Sequence, residues 1–272
     1  MGFELLACDM DGTALDGEKR LSAGNIAAME RALERGKHVV FCTGRNIPLA
    51  LPYINMVRGM RYAVLSAGAN VKDISAGVDI IDSRLNEKTV LALFKAAEGV
   101  PFFPVLYRGD VSCGPAWGRQ TLDEYHVTEF AETYRRFLKF EPGLCEDYLS
   151  NPTPLRKLNF FFTNPRDKDT VYDRIRNYDV TFTAQSECYM EITAAGVTKE
   201  SGLAALCQKL GIGLDQCIAV GDAANDIPML RAAGLGVAVA NATDEALAAA
   251  DTVVSDCGHD GVAEAIRRFL LA

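Results

Sequence analysis

Residues 5 to 13 read LLACDMDGT, an apolar run of four residues followed by two aspartates that are two positions apart. In an extended chain, side chains at positions i and i+2 point to the same side, so a strand that ends here presents Asp9 and Asp11 to one ligand. A carboxylate can attack phosphorus, while a neighbouring carboxyl protonates the departing oxygen and later takes a proton from water. We therefore interpret Asp9 as a nucleophile and Asp11 as an acid and base. The alternative is an acidic loop that caps the next helix.

Short apolar runs alternate with amphipathic segments near both ends of the chain. Strands are predicted over residues 5–8, 38–42, 62–65, 217–220, 236–238 and 252–254. Helices are predicted over residues 22–35, 198–210 and 227–233, and the first two are each followed by a glycine. Strands that alternate with helices predict an α/β fold with a doubly wound, parallel sheet.

The middle of the chain differs in character from both ends. It contains aromatic, β-rich pieces such as FFPVLY at residues 102–107 and LNFFF at 158–162. We predict that residues 84–187 form an inserted α+β domain, and that residues 1–83 and 188–272 together form a discontinuous core domain.

The composition excludes several classes of protein. With 272 residues, 49% hydrophobic and 24% charged, the chain is expected to form one large or two modest globular domains. Its net charge of −8 argues against a general nucleic-acid binder. No apolar run reaches the roughly 18 residues of a membrane span, and Glu4 interrupts any signal peptide, so we predict a cytoplasmic protein with no membrane partner. The eight cysteines show no CxxC spacing and are expected to be reduced thiols.

Three further polar clusters occupy positions that a parallel sheet would bring together. They are Thr43-Gly44 after the second predicted strand, Lys199 at the start of a predicted helix, and GDAAND at 221–226 after the strand over 217–220. Open α/β sheets bind ligands beyond the carboxyl ends of their strands, so these clusters are expected to converge with the first. Each one alone has a structural alternative, namely a turn, a solvated lysine or a helix cap. Their joint occurrence favours one shared site.

Phosphoryl transfer gives this set of residues a common purpose. Negative charge on a phosphoryl group repels an aspartate nucleophile until a hard cation bridges them, and Mg²⁺ held by Asp9 and Asp222 would do so. The Thr43 hydroxyl and nearby backbone N–H groups can hold phosphoryl oxygens, and Lys199 can offset their charge. Asp226 would then orient Lys199 or a water on the metal.

These motifs resemble those of a known superfamily. DMDGT at 9–13, TG at 43–44, Lys199 in ITAAGVTKESGL and GDAAND at 221–226 resemble, in this order, the four motifs of the haloacid dehalogenase (HAD) superfamily of aspartate-nucleophile phosphatases. The context IAVGDAANDIPMLRAAGLGVAVANA is similar to the Cof-type branch, which carries a type IIB cap between its second and third motifs. The resemblance spans nearly the whole chain and implies a Rossmann-like core with an inserted cap.

The resemblance also implies a role for each matching residue. Asp9 would be the nucleophile, and Asp11 the acid and base as well as a metal ligand through its main-chain carbonyl. The implied Mg²⁺ ligands are Asp9, Asp11 and Asp222. The implied phosphate-binding residues are Thr43, Gly44, Lys199 and Asn225, with Asp226 in support.

One position departs from the branch. Its members commonly carry Asn-Gly-Ala after the third strand, whereas this chain has Ala67 where that asparagine belongs. The chemical step is unaffected, but a substrate preference cannot be transferred. The branch acts mostly on small phosphorylated metabolites, so we predict that the partner is a small phosphate monoester such as a sugar phosphate. Cap residues that could contact its leaving group are Arg108, Asp110, Arg156 and Lys157.

Two other functions fit parts of the sequence. A phosphotransferase or phosphomutase of the same superfamily would use Asp9 identically but pass the phosphoryl group to a hydroxyl. A non-catalytic binding protein is the second alternative, although loss of activity usually removes one of the reactive residues. The sequence carries no signal for the oligomeric state.

Overall fold

The computed structural model describes residues 2–127 and 131–272. Within these ranges the strands are β1 Leu5–Cys8, β2 His38–Cys42, β3 Tyr62–Leu65, β4 Asn70–Asp73, β5 Val78–Asp82, β6 Phe102–Arg108, β7 Val111–Pro115, β8 Lys139–Glu141, β9 Lys157–Phe162, β10 Val180–Ser186, β11 Tyr189–Ala194, β12 Cys217–Gly221, β13 Leu235–Val239 and β14 Thr252–Val254. The α-helices are α1 Ala23–Glu34, α2 Ile47–Ile54, α3 Glu87–Ala96, α4 Gly118–Thr121, α5 Ala131–Phe137, α6 Leu144–Ser150, α7 Pro165–Ile175, α8 Lys199–Leu210, α9 Ile227–Ala232, α10 Asp244–Ala249 and α11 Gly261–Ala265.

The first compact unit consists of Met1–Arg45, Ala50–Asp82 and Val197–Ala272. Its eight strands follow the order β14-β13-β12-β1-β2-β3-β4-β5. Pairing is parallel from β14 to β3, and β4 and β5 add an antiparallel edge. The predicted α/β fold with a mostly parallel core sheet is therefore confirmed, with an antiparallel edge that the strand predictions did not include.

Burial on both faces explains the continuous apolar run of β1. Leu5 and Ala7 pack in a cluster with Leu203 and Leu206 of α8. Because side chains alternate along a strand, Leu6 and Cys8 point to the opposite face, and they are fully buried as well. All four residues of β1 are therefore buried, and the first aspartate of the DMDGT motif follows the strand directly.

Local capping fixes the start and end of α8. The Thr198 hydroxyl accepts the Ser201 N–H at 3.1 Å, which makes Lys199 the first helical residue. The helix ends before Gly211, whose φ of +71° suits glycine. The predicted helix over 198–210 is confirmed, and its first turn presents Lys199 at a defined place.

The second compact unit consists of Asn46–Leu49 and Ser83–Gly196. Its six-stranded sheet has the order β10-β11-β9-β6-β7-β8 and is antiparallel except for β7 and β8. Phe160 and Phe162 pack on one face with α3 and α7, while Phe161 packs on the other with Tyr134. The inserted α+β architecture is thus present.

One predicted boundary is wrong. The sequence prediction places residues 188–196 in the core domain, but β11 lies between β10 and β9 in the second sheet. The sequence YMEITA has the composition of a buried strand and carries no sign of the sheet it joins. Long-range pairing decides that assignment.

Two further predictions concern the cysteines and membrane-spanning helices. All eight cysteines are free thiols, as predicted, and the Sγ atoms of Cys207 and Cys217 lie 3.3 Å apart. In the described part of the chain, no helix combines the length and the apolar character that a membrane crossing requires.

Candidate active site

The DMDGT loop and the loop after β12 are in close contact. Gly12 has a φ of +83°, and a Cβ atom there would lie 2.5 Å from Oδ2 of Asp222. The Thr13 hydroxyl donates to Oδ1 of Asp222 at 2.5 Å. Only glycine allows both this backbone angle and this approach. The turn therefore brings Asp222 next to the nucleophile motif.

Lys199 links the other two carboxylates of the cluster. Its ammonium lies 2.7 Å from Oδ1 of Asp9 and 2.7 Å from Oδ1 of Asp226, and the residue is only 2% exposed. The second Asp226 oxygen accepts the backbone N–H groups of Asp222 at 3.0 Å and Ala223 at 3.1 Å. Asp226 thus fixes both the lysine and the loop that carries Asp222.

The electrostatics of this cluster favour an added cation. Burial raises the pKa of Asp9; the Lys199 charge opposes the rise, and the charges of Asp226, Asp222 and Asp11 add to it. Burial likewise raises the pKa of Asp222 to about 6. Three carboxylates, those of Asp9, Asp222 and Asp226, share one buried ammonium, so a positive ion would relieve their repulsion.

The donor set suits a hard cation. Carboxylate oxygens of Asp9, Asp222 and Asp226 lie within 4.8 Å of one another. Because both Asp226 oxygens already accept hydrogen bonds, Asp9 and Asp222 are the two carboxylates best placed to act as ligands. Oxygen ligands of this kind are those that Mg²⁺ prefers.

The side chain of Asp11 turns to different partners. Arg45 donates to both of its carboxylate oxygens at 2.7 Å, and the Lys19 ammonium lies 2.9 Å from Oδ1. Burial alone would raise the pKa of Asp11, but hydrogen bonds and charges from Arg45 and Lys19 outweigh it and lower the pKa to about 2. The Asp11 carboxylate is therefore not part of the cluster formed by Asp9, Asp222 and Asp226. That the main-chain carbonyl of Asp11 binds the metal stays a prediction.

The predicted phosphate-binding residues differ in how far their polar groups are already hydrogen-bonded within the protein. Thr43 is buried, and its hydroxyl accepts the Arg45 N–H at 3.1 Å. Gly44 follows it in the same loop and is partly buried. Asn225 is partly buried, and its side chain makes no hydrogen bond within the described ranges.

The four cap candidates belong to the second unit, and all four take part in ion pairs there. Arg156 pairs with Asp110, which accounts for two of them. Lys157 is buried against Glu191 at 2.5 Å, and Arg108 lies 2.8 Å from Glu141. Their roles toward a substrate remain predictions.

Three residues that the sequence motifs do not include also lie at this site. Arg45 directly follows the TG motif, so its position offered a signal. Asn241 donates to the Gly12 carbonyl at 2.8 Å, and Lys19 pairs with Asp11. No local pattern marks these last two, because both contacts depend on the folded course of loops.

The turn that contains Ala67 is strained. Ser66 has a φ of +50° and Ala67 a φ of +58°, values that a residue with a Cβ rarely adopts. The N–H groups of Ser66 and Ala67 donate to the carbonyls of Arg45 and Thr43 at 2.8 and 2.9 Å, which explains why the turn persists.

We expect replacement of Ala67 by glycine to be tolerated far better than replacement of Ala69. Both methyl groups are buried, but Ala69 has a φ of −66°. In both glycine variants, the lost methyl group and the greater flexibility of the unfolded chain lower the free energy of unfolding. Only in Ala67→Gly does the substitution also remove the strain of a left-handed backbone conformation, which opposes that loss. The free energies of unfolding in urea should therefore differ by about 1–2 kcal/mol. Equal values would contradict the strain.

Comparison with known proteins identifies the family of this chain. A family model described as haloacid dehalogenase-like hydrolase matches residues 6–266. The 5-amino-6-(5-phospho-D-ribitylamino)uracil phosphatase YcsE of Bacillus subtilis is 28% identical over 273 residues, which cover 99% of this chain and 96% of YcsE. A phosphoglycolate phosphatase of Methanothermobacter thermautotrophicus is 26% identical over 273 residues, covering 97% of this chain and 98% of that protein.

Solved structures share the fold. A haloacid dehalogenase-like hydrolase from B. subtilis has a TM-score of 0.86 at 24% identity, with 97% of this chain and 99% of that chain covered. A HAD subclass IIB sugar phosphatase has a TM-score of 0.83 at 21% identity, with 97% and 98% covered. The predicted core with a type IIB cap is confirmed. The chain belongs to the haloacid dehalogenase-like hydrolase family.

Proposed function

We propose that this protein is a Mg²⁺-dependent phosphatase that hydrolyses small phosphate monoesters through an aspartyl phosphate on Asp9. The observation that carries the proposal is the buried cluster in which Lys199 lies 2.7 Å from Asp9, with carboxylate oxygens of Asp9 and Asp222 within 4.8 Å of each other. A nucleophile, a fixed cation and a pair of oxygen ligands are what phosphoryl transfer to a side chain requires.

The first half of the reaction transfers the phosphoryl group to the enzyme. An Asp9 oxygen forms a bond to phosphorus while the bond from phosphorus to the leaving oxygen breaks, and Asp11 gives that oxygen a proton. Asp11 has a pKa of about 2 in the substrate-free protein, so this step requires that the negative charge of the bound substrate raises its pKa and protonates it first. In the second half, a water oxygen bonds to phosphorus, Asp11 takes one water proton, and the Asp9–phosphorus bond breaks. The products are the alcohol and hydrogen phosphate, and both aspartates return to their starting forms.

Several residues would hold the transferred group and its counter-charges. Asp9 and Asp222, with the main-chain carbonyl of Asp11, would hold Mg²⁺, which when bound supplies positive charge beside the phosphoryl oxygens. Thr43, with its neighbour Gly44 and with Asn225, would donate hydrogen bonds to those oxygens. Lys199, kept charged by Asp226 and Asp9 although burial opposes it, would offset the remaining negative charge.

Two curated relatives support a small organic substrate. Their names give a phosphorylated ribitylaminouracil and phosphoglycolate as the compounds that they dephosphorylate. The test is a panel of phosphorylated metabolites with free phosphate measured, ranked by kcat/KM. Release of phosphate from one compound at least tenfold above the others would name the leaving group. Transfer to an added sugar without phosphate release would instead favour a phosphotransferase.

We expect Mg²⁺ affinity to rise with pH in the substrate-free protein. Burial raises the pKa of Asp222 to about 6, and a protonated carboxyl is a poor ligand. The proton competes less as pH increases, so binding at about pH 7 should be about tenfold tighter than at about pH 5. Calorimetric titration measures this, and Asp222→Asn should weaken binding and flatten the dependence. Equal affinities at the two pH values would argue against Asp222 as a ligand.

A further inference from the structure

Two cations hold the carboxylate of Asp11, and the mechanism above assigns them no task. Arg45 donates through Nε and Nη2, each at 2.7 Å from a different oxygen, and the Lys19 ammonium lies 2.9 Å from Oδ1. A two-pronged guanidinium contact fixes the plane of a carboxylate as well as its charge. Three donors therefore define one orientation of Asp11.

The two cations are themselves tied to one side chain, Tyr53. The Arg45 guanidinium lies 5.1 Å from the centre of the Tyr53 ring. The Tyr53 hydroxyl donates to the Lys19 carbonyl at 2.9 Å. Lys19 has a φ of +59°, a conformation that persists for a lysine only where its surroundings hold it. The surroundings thus fix both cations in relation to Asp11.

Another ion pair in the same unit shows what a purely structural pair of this kind looks like. Arg61 donates to Asp73 from Nε at 3.0 Å and from Nη2 at 2.7 Å, and it lies 4.9 Å from the Tyr62 ring. The other Asp73 oxygen accepts from Ser75 and Ala76 of its own turn. In the described ranges, by contrast, the Asp11 carboxylate is held by cationic side chains outside its own turn, those of Lys19 and Arg45, and Asp11 stands two residues from the nucleophile.

We propose that Arg45 and Lys19 are positioning residues that hold Asp11 as the base for the second half of the reaction. This inference rests on the proposed function. There, Asp11 must face the attacking water while one proton moves to it and the Asp9–phosphorus bond breaks. If Asp11 is no longer held in this orientation, hydrolysis of the aspartyl phosphate becomes slower. Formation of the aspartyl phosphate is unaffected when the leaving group departs without a proton.

The test uses 4-nitrophenyl phosphate with Mg²⁺, because nitrophenolate leaves unprotonated. Lys19→Met keeps an unbranched aliphatic side chain at residue 19 but removes the positive charge. Arg45→Lys keeps the positive charge but removes the guanidinium that contacts both Asp11 oxygens. In rapid-quench kinetics, both variants should show a burst of about one nitrophenolate per active site, followed by a steady rate about 10- to 100-fold below wild type. Since only the later step slows, kcat and KM fall together and kcat/KM stays within about threefold. Lys19→Arg should restore most of the rate.

Controls separate this inference from the function it rests on. Arg61→Lys disturbs the matched ion pair and should leave burst and steady rate unchanged. A raised KM with a lower kcat/KM would mean that Arg45 and Lys19 bind substrate, and a slow rate without a burst would mean a structural defect; either result overturns the inference. If wild-type protein released no nitrophenolate, or Asp9→Asn kept the burst, the proposed function itself would fail.

Discussion

Replacing Asp9 with asparagine is expected to lower phosphate release by at least about 10⁴-fold, because an amide oxygen cannot form the aspartyl phosphate. The loss should appear in kcat, for any phosphate monoester that the wild-type protein hydrolyses. Acid-quenched wild-type protein should carry a phosphoryl group during turnover, and the variant should carry none.

The fold of this variant should survive, for an electrostatic reason. Burial and neighbouring carboxylates raise the pKa of Asp9 above its unfolded value. For such a group, stability is fully present at pH values below the unfolded pKa and is lost as pH rises through the folded pKa. Asp9→Asn removes that loss, so the variant should unfold at no lower urea concentration than the wild type near neutral pH.

Asp79→Asn provides the matched control. Asp79 pairs with Lys72 at 2.7 Å on the β4–β5 edge, so the substitution also removes one ion-paired carboxylate of the same unit. Its activity should remain within about twofold of wild type. Near-normal activity of Asp9→Asn beside this control would mean that another group attacks phosphorus.

Local sequence patterns are sufficient to predict the strands and the helix that carry the main residues of the site. The apolar run before Asp9 is continuous because β1 is buried on both faces, and Thr198 and Gly211 mark the ends of α8 by their capping chemistry. The carboxyl ends of parallel strands meet at one edge of a sheet. These regularities place Asp9, Asp222 and Lys199 together without any knowledge of tertiary contacts.

Other features depend on contacts between distant segments and had no local signal. The strand β11 joins the second sheet by pairing with β9 and β10, so the boundary at 187/188 was misplaced. Lys19, which pairs with Asp11, has a positive φ, a backbone conformation that the residue type lysine does not predict. Lys199 by itself has the sequence character of a solvated helix lysine, and only the folded chain shows that it is 2% exposed.

That burial makes Lys199 the site of the second large effect. Lys199→Met removes the only ammonium that the described contacts place on Asp9 and Asp226, and Asp226 is fully buried. An uncompensated buried charge should lower the free energy of unfolding by about 3–5 kcal/mol. Loss of a preorganised positive group at the phosphoryl oxygens should lower kcat by about 100- to 1,000-fold.

The two effects can be separated. Leu206→Ala leaves a cavity in the core beneath α8 and should destabilise the protein by a similar amount, about 2–5 kcal/mol, which controls for loss of stability unrelated to phosphoryl chemistry. In Lys199→Met/Asp226→Asn, the partner charge is gone as well, so part of the stability should return while activity does not. Recovery of activity along with stability in the double variant would show that Lys199 serves the fold alone.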